Sequence, residues 1–281
     1  MSWIITPTFV AENLEARDWV QRAVANGGTV SVSTQIAVSN FCNEIDSASG
    51  LRAAISRLNL FCGDSLSAAL VPLYLAESFG AAPKGNTTDT NVSSNFVSGD
   101  YALTGATGGL SGGGSGGTAK YLDTGLPHNQ VGSSTTGHLS FSGNNLPNAD
   151  AVPLGAYNGA AGNLEDINLN PAIAATTYRF GALPSSGTAV SSTRTHLIGT
   201  RNAGASKVYV DGLASAGTPL SGTLTRSTRT YYIFALNSAN TPAGFMAGRL
   251  RMYSIGDGLT ASQAAAFSTA VANFNAALSR T

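Results

Sequence analysis

The sequence predicts a mainly β protein. An antiparallel β-sandwich is expected from about Phe96 onward, closed by a C-terminal helix and preceded by a small α-helical N-terminal domain. Three observations point there. Short alternating apolar runs recur after Phe96, separated by Gly, Asn, Pro and Ser, as in an antiparallel sandwich rather than a wound parallel sheet. The alternating run Ser206-Lys207-Val208-Tyr209-Val210 ends in Asp211-Gly212, two residues that tolerate the positive φ of a tight hairpin. Finally, Thr260-Ala261-Ser262-Gln263 has capping-box spacing. Phe267, Val271, Phe274 and Leu278 then share one helical face, with Ser268, Asn273 and Asn275 off it.

In chain order, residues 1–82 read as a helical segment for anchoring or assembly. Leu14, Trp19, Val20 and Ala23 face one way in a first helix that stops at Asn26-Gly27-Gly28. Ser33 is positioned to cap a second helix through Ala37, Phe41 and Ile45. Leu51, Ile55 and Leu58 mark a third helix, and Ser65 caps a short fourth one before Pro72. Residues 83–95 are a linker by composition. Residues 96–281 then form the sandwich, with the final helix over 260–279. Strands are expected at 138–142, 151–157, 164–169, 176–181, 195–200, 206–210 and 231–236. A last strand over 249–253 alternates charged and apolar residues, so one of its faces is expected to be wet.

Composition removes several functions. The net charge is zero, only 11% of residues are charged, and Lys84, Lys120 and Lys207 are the only lysines. Such a chain has no basic field for nucleic acid or an anionic membrane. The most apolar window, 66–74, is broken by Pro72 and is too short to span a bilayer. No signal peptide is read at Trp3-Ile4-Ile5 before Pro7, so synthesis in a cytoplasm is expected. The weakly charged Gly/Ser/Thr/Ala-rich surface suits life inside an assembly, most simply a homo-oligomer such as a trimer. Cys42 and Cys62 lack a Cys-x-x-Cys or a nearby His and read as buried thiols.

No catalytic constellation emerges, and the chain reads as a non-enzyme. Gly112-x-Gly114-x-x-Gly117 matches a dinucleotide fingerprint in letters only, because the strand-like Thr118 to Leu122 follows where a helix is required. After Glu77 the one glutamate is Glu165, beside Asp166. Neighbours on a strand point to opposite faces, so the two cannot flank a glycosidic bond together. His128, His138 and His196 lie in no nucleophile or metal motif.

The run Lys207-Val208-Tyr209-Val210-Asp211-Gly212 resembles the hairpin of concanavalin A-like (laminin G-like) sandwiches. The stretches Gly248-Arg249-Leu250 and Ser254 to Thr260 resemble the C-terminal end of bacteriophage and prophage virion proteins carrying that sandwich. Phe96 to Tyr101, Gly108-Gly109-Leu110 and Lys120 to Gly125 are similar to the first strands of the same group. This resemblance, in pieces over residues 66–281, implies a jelly-roll fold and a virion structural protein exposed on the particle, first of all a tail-fibre or receptor-binding component. A capsid decoration or head-fibre protein, and a free bacterial carbohydrate-binding module, are the alternatives. The partners it implies are other virion proteins, through the helical segment, and a host cell-surface polysaccharide. No cofactor or metal is expected. A calcium ion at a loop aspartate is the alternative to reading Asp211 as a turn residue. Lectin-like sites pair an aromatic ring with amide or carboxylate hydrogen bonds, in loops at a sandwich edge. Asn144, Asn145, Tyr157, Asn237 and Asn240 are the ligand-binding candidates on that basis, with Tyr178, Tyr231, Tyr232 and Tyr253 as further tyrosines.

Overall fold

A computed structural model describes residues 12–113, 119–144, 146, 151–160, 162–170, 175–180, 183–188, 196–202, 205–215 and 224–280. Helices α1 (Leu14–Ala25) and α2 (Val32–Ser47) come first. They are followed by strand β1 (Ile55–Asn59) and the single turn α3 (Leu66–Ala69). Four short strands lead into the sandwich: β2 (Thr90–Asn91), β3 (Tyr101–Ala102), β4 (Gly109–Ser111) and β5 (Leu122–Pro127). Then come β6 (Gly137–Asn144), β7 (Ala151–Tyr157), β8 (Glu165–Asn170), β9 (Ala175–Phe180) and β10 (Leu183–Thr188). Strands β11 (His196–Asn202), β12 (Ala205–Val210), β13 (Leu213–Ala214) and β14 (Thr230–Ile233) follow. The chain closes with β15 (Leu236–Ser238), β16 (Thr241–Ala243), β17 (Arg249–Gly256) and helix α4 (Ala261–Ala277).

The strands form two sheets, giving the antiparallel sandwich with a C-terminal helix that the alternation predicts. Sheet one runs β13-β12-β11-β6-β17-β4-β3, with β1 also paired to β17. Sheet two runs β10-β9-β8-β7-β14-β5-β2, with β15 beside β7 and β16 beside β15. Every described pairing is antiparallel except β15 on β7. The inward faces meet in a core that includes Leu139, Phe141 and Ile255 from sheet one and Leu122, Leu154, Ile167 and Ile233 from sheet two.

A second core lies on the outer side of sheet one. There Phe267, Val271, Phe274 and Leu278 of α4 pack with Trp19, Val20, Phe41 and Ile45 of the N-terminal helices and with Ile198, Tyr209 and Met252 of the sheet. Phe41 meets Phe274 edge-on, with ring centroids 5.6 Å apart. The Trp19 indole N–H donates to the Val71 carbonyl at 2.9 Å, tying α1 to the segment after α3. The layers are therefore helices, sheet one, sheet two. Sheet one is covered on both faces, and among the described residues the helices leave the outer face of sheet two uncovered.

Local expectations hold at the helix ends. Thr260 and Gln263 form the capping box, and Ser65 caps Ala68. Asn26 and Gly27 (φ 77°) end α1. Several differences have physical causes. The cap before α2 is Ser31, not Ser33. Residues 55–59, expected as part of a third helix, are strand β1, because pairing with β17 some two hundred residues away satisfies their backbone. The expected strand 231–236 breaks into β14 and β15 at Phe234, whose φ of 67° reverses the chain. Strand β17 has no wet face, since Leu250 and Tyr253 enter the sandwich core while Met252 joins the helix-side core. Ser268 and Asn275 of α4 are buried too, bonding His196 and Ser142 of sheet one. Residues 83–95 cross the molecule carrying β2 and the buried Asp89.

Among the described residues no helix is long and apolar enough to cross a membrane. Cys42 and Cys62 are buried free thiols.

Candidate functional site

Alternation along sheet two decides which side chains reach its outer face. In β5, Leu122, Thr124 and Leu126 point inward and leave Asp123, Gly125 and Pro127 outside. Tyr121, just before this strand, shares the outer side. In β14, Tyr231 and Ile233 enter the core, so Tyr232 faces out. Leu154 and Ala156 of β7 likewise leave Gly155 and Tyr157 outside. The register aligns Asp123, Tyr232, Gly155, Asp166 and Arg179 as one row across five strands.

An aromatic cluster stands on this row. The Tyr121 and Tyr232 rings lie with centroids 4.7 Å apart at 35°, and Phe245 approaches Tyr121 at 6.3 Å. Tyr121 and Phe245 are half-buried, while Tyr232 is covered by its neighbours. Burial, then Asp123 and Tyr121, push the Tyr232 hydroxyl up to about 12, with Arg229 opposing. The Tyr121 hydroxyl is raised by burial first and by Asp123 second. Both phenols therefore stay protonated donors at neutral pH, beside a carboxylate acceptor and a guanidinium donor. Farther along the row, Asp166 is fully buried and accepts from Arg179, whose Nε lies 2.6 Å away. Flat rings that can stack, edged by charged hydrogen-bonding groups, are the chemical content of this face.

The acids behave as strand alternation requires. Asp166 lies on the outer face, whereas Glu165 points into the core. There it accepts from the Tyr231 hydroxyl at 2.5 Å and from Arg226 Nη1 at 2.9 Å, with His128 Nε2 3.2 Å away. Burial alone would raise the Glu165 carboxyl, but Arg226, His128 and Tyr231 outweigh it and hold the group below its ordinary range. Tyr231, His128 and Glu165 are each no more than 1% exposed, so the cluster braces the interior and offers nothing to a substrate. A second sealed cluster joins Arg57, Asp89, Asn59 and Tyr253 between β1, β17 and the segment before β2. Among the described residues no group of three or more His, Cys, Asp and Glu is placed to hold a metal ion.

The candidates named from sequence separate into two places. Tyr157, Asn237 and Asn240 come together at one end of sheet two, where Tyr157 pairs with Ser238. Asn237 is fully buried: its amide donates to the Thr230 carbonyl at 2.8 Å, and its Oδ1 accepts from the Asn240 backbone at 2.8 Å. It holds the β15–β16 turn instead of facing solvent as a loop-edge residue. Asn240 is exposed at the turn, with φ 72°. Asn144 lies apart on sheet one, its amide donating to the Ala106 carbonyl at 2.6 Å. Asn145 and the Tyr178 side chain fall outside the described residues. Tyr231 and Tyr253 are core residues, leaving Tyr232 and Tyr157 as the outward tyrosines of that group. Sequence reading missed Tyr121, Asp123, Arg229 and Phe245. The alternation of Tyr121-Leu122-Asp123 carried a signal for the first two, but their apposition to Tyr232 is a property of the register.

No family model matches the chain, and no curated protein matches it. Solved structures do. A Trypanosoma rangeli sialidase mutant displaying trans-sialidase activity matches at 14% identity and TM-score 0.45, over 82% of this chain and 37% of that one. The NanB sialidase of Streptococcus pneumoniae, as its K499G mutant, matches at 11% and 0.40, over 50% of this chain and 25% of that one. The CBM40 of Ruminococcus gnavus IT-sialidase, bound to alpha2,3 sialyllactose, matches at 10% and 0.38, over 46% of this chain and 79% of that one. The chain thus spans well under half the length of either sialidase.

Proposed function

We propose that this protein acts by contact, binding a cell-surface glycan through the outer face of sheet two, and does not catalyse a reaction. The observation that carries the reading is the Tyr121–Tyr232–Phe245 cluster, edged by Asp123 and Arg229 on the face the helices leave uncovered. The absence of catalysis is supported by Glu165 and Asp166, which face opposite ways and are each held by an arginine. A glycan array probed with the purified chain tests the reading. Sialylated oligosaccharides are sensible first probes, because the R. gnavus module is bound to one. Retention of at least one oligosaccharide class is expected. Retention of none, or turnover of a bound saccharide, contradicts the proposal.

Display of this module on a larger assembly, a phage particle by the sequence resemblance, is the second part of the proposal. What favours it is the apolar surface of the N-terminal helices, where Leu14, Val32 and Ile36 are 57%, 49% and 47% exposed. A monomer that stays monodisperse by light scattering at high concentration contradicts this part.

A further inference from the structure

Three arginines meet where β17 enters sheet one: Arg249 and Arg251 on the strand, and Arg280 just after α4. Along one edge β17 pairs with β6. Along the other it pairs with β4 at Arg249 and Leu250, and with β1 from Tyr253 onward. The Arg280 guanidinium fills the interval between β4 and β1. Its Nη1 donates to the Arg251 and Leu60 carbonyls at 3.3 and 3.1 Å, its Nη2 to the Phe61 carbonyl at 2.6 Å and its Nε to the Leu103 carbonyl at 2.7 Å. Arg249 spends Nη1 on the Gly109 carbonyl at 2.9 Å. Both side chains are thus committed to backbone.

Arg251 is not. The β17–β6 register shifts between Leu250 and Met252, so Arg251 is the extra residue of a bulge, a device that re-aims a side chain. It is 3% exposed, and among the described residues no hydrogen bond or ion pair holds its guanidinium. Its Nε is sealed without an acceptor, whereas the two Nη atoms are not sealed, so the group meets the outside end-on. Burial first, then Arg280 and Arg249, press the group below its ordinary value, and no carboxylate opposes them. The acid that supports Arg249 is Asp100, which Lys120 Nζ already holds at 2.6 Å. A guanidinium keeps its proton at neutral pH, so Arg251 cannot escape burial by becoming neutral. A nearly buried charge beside two like charges needs a counter-charge, and the protein supplies none from the described residues.

We infer that Arg251 binds a small oxyanion at the β17 bulge, a phosphate, sulfate or carboxylate group accepting end-on from Nη1 and Nη2. Arg249 and Arg280 add their field, and the planar fork suits two oxygens of one group. The site is independent of the aromatic face, which lies on the other sheet, so either can fail without the other.

The test is an NMR titration of the Arg251 Nε–H signal in the full chain at pH 7 and fixed ionic strength, with sodium phosphate, sodium acetate and sodium chloride as separate arms. Saturable movement is expected with an oxyanion and not with chloride. Phosphate alone identifies a site for a tetrahedral group of higher charge, while acetate, alone or as well, identifies one open to carboxylates; both support the inference. Arg251→Met, followed at the Gly109 and Leu250 backbone amides, should bind the same anion at least about tenfold more weakly. Where that variant does not fold, the Nε–H titration of the parent decides alone. Absence of saturation with either oxyanion, an equal saturable response to chloride, or parent-like binding by Arg251→Met each overturns the inference.

Discussion

Tyr121 lies over Tyr232 with ring centroids 4.7 Å apart, Tyr232 on β14 and Tyr121 just before the neighbouring β5, in the sheet that the helices leave uncovered. Tyr121 contributes little to either core, since it belongs to neither of the two buried apolar clusters. Replacing it by alanine is expected to lower unfolding free energy by roughly 1 kcal/mol, the scale of one aromatic pair. Urea unfolding followed by far-UV circular dichroism measures this, and a loss several times larger shows the ring to be structural.

Asp89 is the centre of the opposite case. Both it and Arg57 are sealed, and its carboxylate accepts from Arg57 Nη2 at 2.8 Å, Asn59 Nδ2 at 2.8 Å and the Tyr253 hydroxyl at 2.7 Å. Asp89→Ala leaves a buried guanidinium uncompensated and should destabilise the fold by roughly 3–5 kcal/mol. The same unfolding curve checks it. A change below about 1 kcal/mol would mean that water reaches the cluster.

Two buried imidazoles set an acid limit. Burial lowers His138 from an ordinary value of 6.5 to about 4, against the Asp257 carbonyl, and lowers His196 to about 3, against Asp211. Between pH 6.5 and those values the unfolded chain binds protons that the folded chain refuses. Their contribution to stability is therefore complete above about pH 6.5 and shrinks as pH falls toward 4 and then 3. Melting temperature should decline across pH 6.5 to 4, and His196→Asn should flatten part of that slope. A flat profile in the parent protein contradicts the buried, neutral assignment.

The thiols should be silent. Burial raises both, Cys62 to about 12 and Cys42 further, and neither is more than 2% exposed. Ellman's reagent is expected to titrate no thiol in the folded chain and two after denaturation. Rapid reaction of either thiol under native conditions would place it at the surface.

Local signals in the sequence foretold what local chemistry decides. The capping box at Thr260, the Asn26-Gly27 stop, the span of β7 and the opposed faces of Glu165 and Asp166 follow from spacing within a few residues. Long-range pairing was not legible. Leu51, Ile55 and Leu58 have helical spacing, yet all three are buried and the last two belong to β1, because β17 supplies a partner strand. Phe234 gave no warning of a reversal, since an aromatic residue at φ 67° breaks the usual steric preference. The aromatic face was half legible. Tyr157 and Tyr232 stood among the candidate tyrosines with no face assigned to either, and Tyr121 and Asp123 meet Tyr232 only once β5 and β14 are set in register.

A sugar held on the Tyr121–Tyr232 face has to lose affinity when the Tyr121 ring is removed. Isothermal titration of the oligosaccharide best retained on the array, into the parent protein and into Tyr121→Ala of matched helicity, tests it most directly. Saturable binding by the parent and a loss of at least about tenfold in the variant are expected. Equal affinity in the two proteins would place the glycan elsewhere and contradict it.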